Sequence, residues 1–301
     1  MDLHQQLCEI VGPEYVKEQE PMSKHTTFRV GGPADYFLIP RTAEQLKQVL
    51  KLSLAAGIPC YVLGNGSNLL VGDKGYRGII ICIGRLWSHT CIEEMKITAG
   101  AGILLSKLSQ EAADHSLTGL EFAFGIPGTL GGAVTMNAGA YGGEMKDVLV
   151  SATVMDDSGN LLALSKAKLE LDYRTSCIIK NKYIVLETVL LLKAGNKEEI
   201  LSRMEDLNRK RKEKQPLNYP SAGSTFKRPK DHFAGKLIMD SGLAGYKVGG
   251  AKVSEKHCGF IINEHNAKAV DIVNLCEQVR NKVNGKFGVE LELEIKMIGE
   301  F

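Results

Sequence analysis

A glycine-containing turn follows a short apolar segment in the first quarter of the sequence. Residues 61–63 are apolar, and Gly64-Asn65-Gly66-Ser67-Asn68 follows directly. Glycines let a backbone approach an anion closely and turn several N–H groups toward it, and Ser67 and Asn68 add side-chain donors. The turn lacks the third glycine of a Rossmann fingerprint, where Leu69 stands instead, and the Gly-Lys-Ser/Thr of a Walker loop. It is a candidate phosphate-binding element, with an ordinary tight turn as the alternative.

A second glycine-rich segment covers residues 125–143, with seven glycines in 19 positions and no charged residue. Glycine costs about 1 kcal/mol relative to alanine inside a helix, so we expect poor helix formation here. Glycine and alanine with single polar side chains (Thr129, Thr135, Asn137) suit a backbone that lies against a flat, hydrogen-bonding ring system. Close packing of backbone on backbone is the alternative.

Three short polar clusters complete the candidates. Tyr173-Arg174-Thr175-Ser176 precedes a predicted strand, residues 221–227 form a small-residue loop around Ser224, and residues 291–295 alternate so that Glu292 and Glu294 share one face. Their ordinary interpretations are a surface ion pair, a turn or helix cap, and the solvated face of an edge strand.

The apolar periodicity predicts a scaffold of mixed helices and strands for these candidates. Residues 42–57 read as a helix, with a capping box formed by Thr42 and Gln45 and a left-handed end at Gly57. Strands are predicted at 58–63 and 78–83, which together with the helix suggests a small α/β unit.

The rest of the chain predicts strands first and then helices. Strands are expected at 96–99, 150–155, 161–164 and 183–192, with a hairpin turn at 157–160. Helices are expected at 197–214, 234–241 and 267–284, the last ending at Gly285, and further strands at 258–262 and 289–298.

The composition excludes several classes of function. The 301 residues carry 37 Lys and Arg against 35 Asp and Glu, a formal net charge of +2, which argues against binding to nucleic acid or anionic lipid. No segment approaches about 18 uninterrupted apolar residues, and residues 1–20 lack the apolar core of a signal peptide. Seven widely spaced cysteines without a Cys-x-x-Cys pattern indicate reduced thiols in a cytoplasm. Without ligand-like histidine spacing or a Gly-x-Ser-x-Gly elbow, we expect no metal and no catalytic triad.

Taken in order, the motifs resemble those of the UDP-N-acetylenolpyruvoylglucosamine reductase (MurB) family, flavoenzymes of peptidoglycan precursor synthesis. The resemblance runs nearly end to end, from residues 25–34 through the turn, the glycine-rich segment, Tyr173-Arg174, residues 214–216 and 222–227 to Leu291-Glu292-x-Glu294. It implies an α+β fold, with a two-subdomain FAD-binding fold of the vanillyl-alcohol-oxidase (PCMH) type and a C-terminal α/β substrate-binding domain. The implied boundaries are residues 1–80, 81–210 and 211–301.

The resemblance also implies ligands and site residues. FAD is the implied cofactor, NADPH the co-substrate and a UDP-sugar the substrate of a cytoplasmic monomer. Arg174, Ser224 and Glu294 take the catalytic positions, and Tyr173, Arg211 and Lys214 take substrate-binding ones, with Lys214 and Arg211 at the nucleotide diphosphate. The implied cofactor-binding residues lie in the turn and the glycine-rich segment: Leu63, Gly64, Asn65, Gly66, Ser67, Asn68, Leu69, Gly125, Ile126, Pro127, Gly128, Thr129, Gly131, Gly132, Ala133, Asn137, Ala138 and Gly139.

The implied chemistry fits these residue types. Hydride passes from NADPH through the flavin to the methylene carbon of an enolpyruvyl ether, and a proton must reach the ether-bearing carbon. Arg174 is suited to stabilise the charge that develops on the substrate carboxylate, Ser224 is the implied proton donor, and Glu294 is a partner of the same oxyanion, either neutral or ionised. Only 40 positions separate Arg174 from Lys214, which favours the family's shorter branch, without the inserted tyrosine that covers the substrate in the longer one.

Two other classes of function stay open at this point. One is a flavin oxidoreductase of the same fold that acts on an alcohol or hydroxy acid, and the other is a non-catalytic nucleotide-sugar binding protein. Reoxidation by oxygen would favour the first, and a colourless purified protein would favour the second.

Overall fold

The computed structural model describes residues 2–301, which form two compact units. Unit 1 comprises the chain up to Glu18, Tyr36–Asn65 and Gly78–Lys210, and unit 2 comprises Gln19–Asp35, Gly66–Arg77 and Arg211–Phe301. The chain enters each unit more than once, and the division into three segments with boundaries at 80 and 210 stays a prediction.

Helices and strands are distributed along the whole chain, which confirms the predicted α+β class. The helices are α1 (Leu3–Val11), α2 (Ala43–Ala56), α3 (Leu105–Asp114), α4 (Leu130–Thr135), α5 (Met145–Val148), α6 (Cys177–Lys180), α7 (Lys197–Lys214), α8 (Ala234–Asp240) and α9 (Ala269–Phe287). The strands are β1 (Val16–Pro21), β2 (Pro33–Leu38), β3 (Cys60–Leu63), β4 (Leu69–Val71), β5 (Tyr76–Cys82), β6 (Thr90–Glu93), β7 (Lys96–Gly100), β8 (Leu117–Thr118), β9 (Gly139–Ala140), β10 (Gly143–Glu144), β11 (Leu149–Met155), β12 (Leu161–Ser165), β13 (Ile184–Leu191), β14 (Lys193–Ala194), β15 (Lys247–Val248), β16 (Ala251–Val253), β17 (Ile261–Asn263) and β18 (Lys296–Ile298). Within residues 2–301, no helix is long and apolar enough to cross a membrane.

An antiparallel sheet with the order β12-β11-β13-β7-β6 belongs to unit 1. Four of its strands confirm those predicted in the middle of the chain. The hairpin turn between β11 and β12 is held by Asp156, whose carboxylate accepts the N–H groups of Ser158 at 3.0 Å and Asn160 at 2.7 Å. Buried side chains of these strands, such as Ile97 and Leu190, form the core of unit 1 together with α2 and α3.

Helix α2 and strand β3 lead the chain to the glycine turn. Thr42 caps α2 by accepting the Gln45 N–H at 3.2 Å, and Gly57 ends it with φ +63°. The predicted capping box is wrong in its second half, because the Gln45 side chain accepts the N–H of Arg41 instead. In the sheet β1-β2-β5-β3, strand β3 runs parallel to β5, so residue 64 leaves the sheet at the carboxyl end of a parallel strand, where α/β proteins commonly bind ligands.

Unit 2 contains the antiparallel sheet β15-β16-β17 and helices α8 and α9. The buried face of α9, which includes Ile272, Val279 and Val283, packs in one apolar cluster with residues of β16 and β17. Strand β18 pairs in parallel with β4, with Lys296 opposite Leu69. This pairing holds the end of the glycine turn beside the segment that contains Glu294.

Three predicted elements need correction. Helix α9 continues through Gly285 to Phe287, because the left-handed end lies at Gly288 with φ +67° and an exposed helical glycine costs only about 1 kcal/mol. The strand predicted at 289–298 is only β18, since residues 289–295 contribute a single bridge, Leu293 to Phe226. The glycine-rich segment contains helix α4, whose buried Leu130, Ala133 and Val134 supply the packing that offsets its glycines.

Candidate active site

The first half of the glycine turn, in unit 1, is bound to the glycine-rich segment. The Asn65 side chain donates to the Pro127 carbonyl at 2.7 Å. A Cβ atom on Gly64 would lie 2.3 Å from the Thr129 hydroxyl, so only glycine allows this approach. The two segments predicted to hold the cofactor are therefore in contact here.

The glycines of the glycine-rich segment have different surroundings, and contact of this backbone with a ring system stays a prediction. A Cβ on Gly131 would lie 2.8 Å from the Ala101 Cβ, and its N–H donates to the Ala101 carbonyl, so this glycine serves close backbone packing. Gly132 is exposed, and a Cβ there would approach nothing closer than 3.6 Å. The loop before α4 contains Gly125, Ile126 and Gly128 and ends at the buried Thr129, directly before Leu130. The loop after α4 contains Ala138, and Gly139 begins β9.

Asn137 holds the glycine-rich segment to two neighbouring segments. Its backbone has φ +42°, and its side chain is 1% exposed. The amide nitrogen donates to Glu144 at 2.7 Å and to the Asp172 carbonyl at 3.3 Å, while the amide oxygen accepts the Lys146 N–H at 2.9 Å. Both amide hydrogens are thus used within the protein, and its predicted contact with the cofactor stays a prediction.

Arg174 lies at a constrained turn that is connected to the same segment. Reciprocal backbone hydrogen bonds of 3.2 Å join Asp172 and Thr175, and Arg174 between them has φ +54°. Ser176 donates to the Thr135 carbonyl at 2.7 Å, and the Arg174 guanidinium lies 5.2 Å from the centre of the Tyr173 ring. These contacts fix the backbone that presents Tyr173 and Arg174.

The second half of the turn, in unit 2, lies against residues 25–27. Gly66 has φ +60°, and a Cβ on it would lie 2.0 Å from the His25 carbonyl oxygen. The Gly66 carbonyl accepts the Thr27 N–H at 3.2 Å, and the Thr27 hydroxyl donates to the Ser221 carbonyl at 2.7 Å. The sequence alone did not predict these contacts of Thr27. The available signal was its place among residues 25–34, which resemble a motif of the family and contain two threonines.

Ser224, Glu294 and Asn68 are brought together in unit 2. The Thr225 carbonyl, one residue after Ser224, accepts the Glu294 N–H at 2.8 Å, and the Asn68 side chain donates to the Glu294 carbonyl at 3.2 Å. Lys296 donates its N–H to the Asn68 carbonyl at 2.9 Å. Both Ser224 and Glu294 are half-buried, and their predicted catalytic roles stay predictions.

The segment after Ser224 is anchored on its other side as well. Thr225 is fully buried, its N–H donates to the Gly259 carbonyl at 2.8 Å, and its hydroxyl accepts the Ile261 N–H at 3.0 Å. Gly259 in turn donates its N–H to Nδ1 of His257 at 3.2 Å. Burial lowers the pKa of His257, which favours the neutral ring whose Nδ1 can accept this hydrogen bond.

The two acids of the 291–295 segment have different surroundings. Glu292 is exposed and pairs with Lys227 at 2.8 Å, and this hydrogen bond lowers the pKa of the Glu292 carboxyl. Its ordinary interpretation as a solvated acid is therefore confirmed, whereas Glu294 is half-buried.

The two basic residues assigned to a diphosphate lie in the last turn of α7. Arg211 is half-buried and Lys214 exposed, and the Arg211 carbonyl accepts the Gln215 N–H at 2.9 Å where the helix ends. Arg211, Lys214, Ser224 and Glu294 belong to unit 2, whereas Tyr173 and Arg174 belong to unit 1.

The turn fits a bound phosphate by its donors. Among residues 2–301, no carbonyl or side chain accepts a hydrogen bond from the backbone N–H groups of residues 65–68. Successive N–H groups of this kind, with a glycine at positive φ, form an anion-binding concavity. Leu63 and Leu69, both buried, anchor the two ends of the turn, and Ser67 is half-buried within it. The described residues contain no cluster of metal-ligating side chains, and the seven cysteines are free thiols.

Known proteins resemble this chain over almost its whole length. Residues 215–298 match the family model described as UDP-N-acetylenolpyruvoylglucosamine reductase, C-terminal domain, and residues 34–165 match the one described as FAD binding domain. Two similar proteins are named UDP-N-acetylenolpyruvoylglucosamine reductase. The one from Lachnoclostridium phytofermentans is 52% identical over 300 residues, which cover 98% of this chain and 97% of that protein. The one from Clostridium tetani is 54% identical over 299 residues, which cover 99% of this chain and 97% of that protein. The structure is also similar to the crystal structure of UDP-N-acetylenolpyruvylglucosamine reductase (MurB) from Thermus caldophilus, with a TM-score of 0.81 and 40% sequence identity. The match covers 94% of this chain and 100% of the Thermus chain.

Proposed function

This chain belongs to the UDP-N-acetylenolpyruvoylglucosamine reductase (MurB) family of FAD-binding oxidoreductases, and we propose that it uses NADPH to reduce the enolpyruvyl ether of UDP-N-acetylglucosamine to UDP-N-acetylmuramate. Because the family consists of enzymes, the non-catalytic alternative falls away. We place the reaction in peptidoglycan precursor synthesis in the cytoplasm, where free thiols persist, and assign it to the monomer. The observation that carries the proposal is the set of hydrogen bonds that joins Asn68, the Ser224 loop and Glu294 in unit 2.

The chemistry divides between the cofactor and the chain. When bound, FAD supplies the transfer of a hydride from the nicotinamide to the methylene carbon of the enolpyruvyl group. The chain must bind the substrate carboxylate, stabilise the charge that develops on it and deliver one proton to the ether-bearing carbon. Hydride and proton together add two hydrogens across the carbon–carbon double bond, which balances the reaction.

Arg174 binds the carboxylate in this proposal. A guanidinium is always charged and offers a planar fork of donors that matches a carboxylate. Its backbone is fixed by the reciprocal hydrogen bonds between Asp172 and Thr175, so little reorganisation is needed as charge develops.

Ser224 donates the proton. A free hydroxyl is a weak acid, so its position and its polar neighbours must supply the catalysis. The hydrogen bonds on both sides of Thr225 fix the segment that follows Ser224, and the bond from the Glu294 N–H to the Thr225 carbonyl brings the Glu294 segment beside it. Glu294 is the partner of the oxyanion in either of its protonation states.

Lys214 and Arg211 bind the nucleotide diphosphate. Both lie in the last turn of α7, next to the start of the segment that matches the C-terminal family model. A compact ammonium and a forked guanidinium together suit a diphosphate, which carries charge on both phosphates.

The identity of the product tests the proposal. We expect the purified protein with NADPH and the enolpyruvyl nucleotide to yield a product two hydrogens heavier, identified by mass spectrometry and by comigration with UDP-N-acetylmuramate. An alcohol or hydroxy-acid oxidoreductase of the same fold would instead turn over its own substrate with oxygen as acceptor. Such turnover, without conversion of the enolpyruvyl nucleotide, would contradict the proposal.

A further inference from the structure

Thr27 contacts two functional segments of unit 2 at once. Its backbone N–H donates to the Gly66 carbonyl at 3.2 Å, in the glycine turn. Its hydroxyl donates to the Ser221 carbonyl at 2.7 Å, three residues before Ser224, and makes a longer contact of 3.5 Å with the Gly66 carbonyl. Gly66 and Ser221 are far apart in sequence, so this one threonine links the segment that faces the cofactor phosphate to the loop that carries the proton donor.

The contact on the turn side is close. Gly66 lies so close to residues 25 and 26 that a Cβ would stand 2.0 Å from the His25 carbonyl oxygen and 3.0 Å from the Thr26 Cα. The backbone of the turn and that of residues 25 and 26 are therefore in direct contact, with no room for a side chain between them.

The contact on the loop side is supported by packing. Ala222, directly after Ser221, is 3% exposed and lies in the same apolar cluster as Phe28, the neighbour of Thr27. Gly223 follows with φ +76°, and no heavy atom lies within 4 Å of its Cβ position. Ser224 therefore sits at the end of a short loop whose start is fixed by Thr27 and Ala222 and whose middle residue is loosely surrounded.

A second connection reaches the loop from its other end. The Asn68 side chain donates to the Glu294 carbonyl, and the Glu294 N–H donates to the Thr225 carbonyl. The glycine turn is therefore connected to the chain on both sides of Ser224. Before Ser224 the connection runs through Thr27 to Ser221, and after it through Asn68 and Glu294 to Thr225.

We propose that Thr27 is a positioning residue that sets the location of Ser224 relative to the glycine turn. The inference rests on the proposed function, because it takes Ser224 as the proton donor. Thr27 touches neither the substrate nor the reacting atoms in this account, and its hydroxyl acts through the Ser221 carbonyl.

The test compares Thr27→Val, which removes the hydroxyl at nearly constant shape, with Thr27→Ser, which keeps it. Thr26→Val is the matched control, because the Thr26 hydroxyl bonds only to Val30 in its own segment, donating to the carbonyl at 2.9 Å and accepting the N–H at 3.3 Å. In the FAD-loaded enzyme, Thr27→Val should slow flavin reoxidation by the enolpyruvyl nucleotide about 10- to 100-fold, the cost of a misplacement of about 1 Å. Reduction by NADPH should change less than threefold, and Thr27→Ser should restore most of the reoxidation rate.

Amide hydrogen exchange gives a readout that does not depend on activity. In Thr27→Val, the amides of residues 222–226 should exchange faster than in the wild type, whereas in Thr26→Val they should not. If Thr27→Val does not fold, Thr27→Ala carries the same comparison.

The possible results separate the inference from the proposed function. Unchanged exchange and an unchanged reoxidation rate in Thr27→Val would overturn the positioning role, as would equal effects of Thr26→Val. If the wild-type enzyme did not convert the enolpyruvyl nucleotide, the proposed function would fail. Faster amide exchange of residues 222–226 in Thr27→Val alone would still support the link between Thr27 and Ser221.

Discussion

Gly66→Ala tests whether the close approach of the turn to residues 25–27 shapes the cofactor site. The new Cβ would lie 2.0 Å from the His25 carbonyl oxygen, whereas ordinary contact begins at 3.4 Å. The backbone of residue 66 or residue 25 must therefore move by more than 1 Å. Such a shift moves the neighbouring N–H groups out of hydrogen-bond range of a phosphate.

The magnitude follows from two separable costs. A residue other than glycine at φ +60° costs about 1–2 kcal/mol, and the displaced turn loses at least one hydrogen bond to a charged group, worth about 1.5–3 kcal/mol of binding. We expect at least the first cost in the free energy of unfolding, because the displaced backbone adds strain to it, and the second as about 10- to 100-fold weaker FAD binding. Gly66→Val, which is bulkier, should be isolated folded but free of flavin.

Gly57→Ala is the matched control, because Gly57 has φ +63° and no heavy atom lies within 4 Å of its Cβ position. It should lose stability by about the same 1–2 kcal/mol through its backbone conformation and bind FAD normally. Titration of the apoprotein by quenching of flavin fluorescence and urea unfolding followed by circular dichroism measure the two quantities. If Gly66→Ala bound FAD as tightly as Gly57→Ala, the reasoning from close approach would be wrong.

Three further predictions concern chemistry, substrate binding and pH. In rapid mixing, Ser224→Ala should slow flavin reoxidation by the substrate about 10²–10⁴-fold, while NADPH reduces the flavin at the normal rate. Ser224→Cys should recover part of the reoxidation rate. Equal slowing of both half-reactions would refute the role of Ser224 as proton donor. Lys214→Ala should mainly raise the KM for the nucleotide substrate, and an equal loss in flavin reduction would indicate a structural role instead. Burial raises the pKa of Cys276 to about 12, above the value near 9.0 expected for the unfolded chain, so its contribution to stability is complete below pH 9 and is lost as the pH rises toward 12. In Cys276→Ala, the unfolding free energy should therefore fall less steeply above pH 9, by up to about 1.4 kcal/mol per pH unit. Replacement of the exposed Cys91 by alanine is the control and should leave this slope as in the wild type. An unchanged slope in Cys276→Ala would contradict the argument.

Elements with local signals were predictable from the sequence. Helix α7 begins and ends at the predicted residues, because the apolar stripe of Ile200, Met204 and Leu207 repeats at helical spacing and Pro216 stops it. Helix α2 was predictable from the Thr42 cap and Gly57. The 289–298 strand was not, because alternation predicts an extended chain but not a pairing partner, and only residues 296–298 find one in β4.

The hydrogen bonds that connect the segments of the candidate site were not predictable from the sequence, and the roles of its residues stay predictions. The resemblance assigned Ser224 and Glu294 to catalytic positions and Asn68 to the cofactor. The structure joins their segments through backbone hydrogen bonds and one bond from the Asn68 side chain to the Glu294 carbonyl. The Thr27 contact to Ser221 spans 194 positions, and no periodicity of neighbouring residues carries such information. Asn137 looked like a ligand-facing amide, yet its hydrogen bonds hold three segments of the fold together, which its residue type alone could not reveal.

The visible spectrum of the purified protein tests the central claim most directly. Under anaerobic conditions, NADPH should bleach the flavin absorbance, and addition of the enolpyruvyl nucleotide should restore it with formation of one equivalent of UDP-N-acetylmuramate. Flavin that NADPH bleaches but only oxygen recolours, with the enolpyruvyl nucleotide left unchanged, would contradict the account.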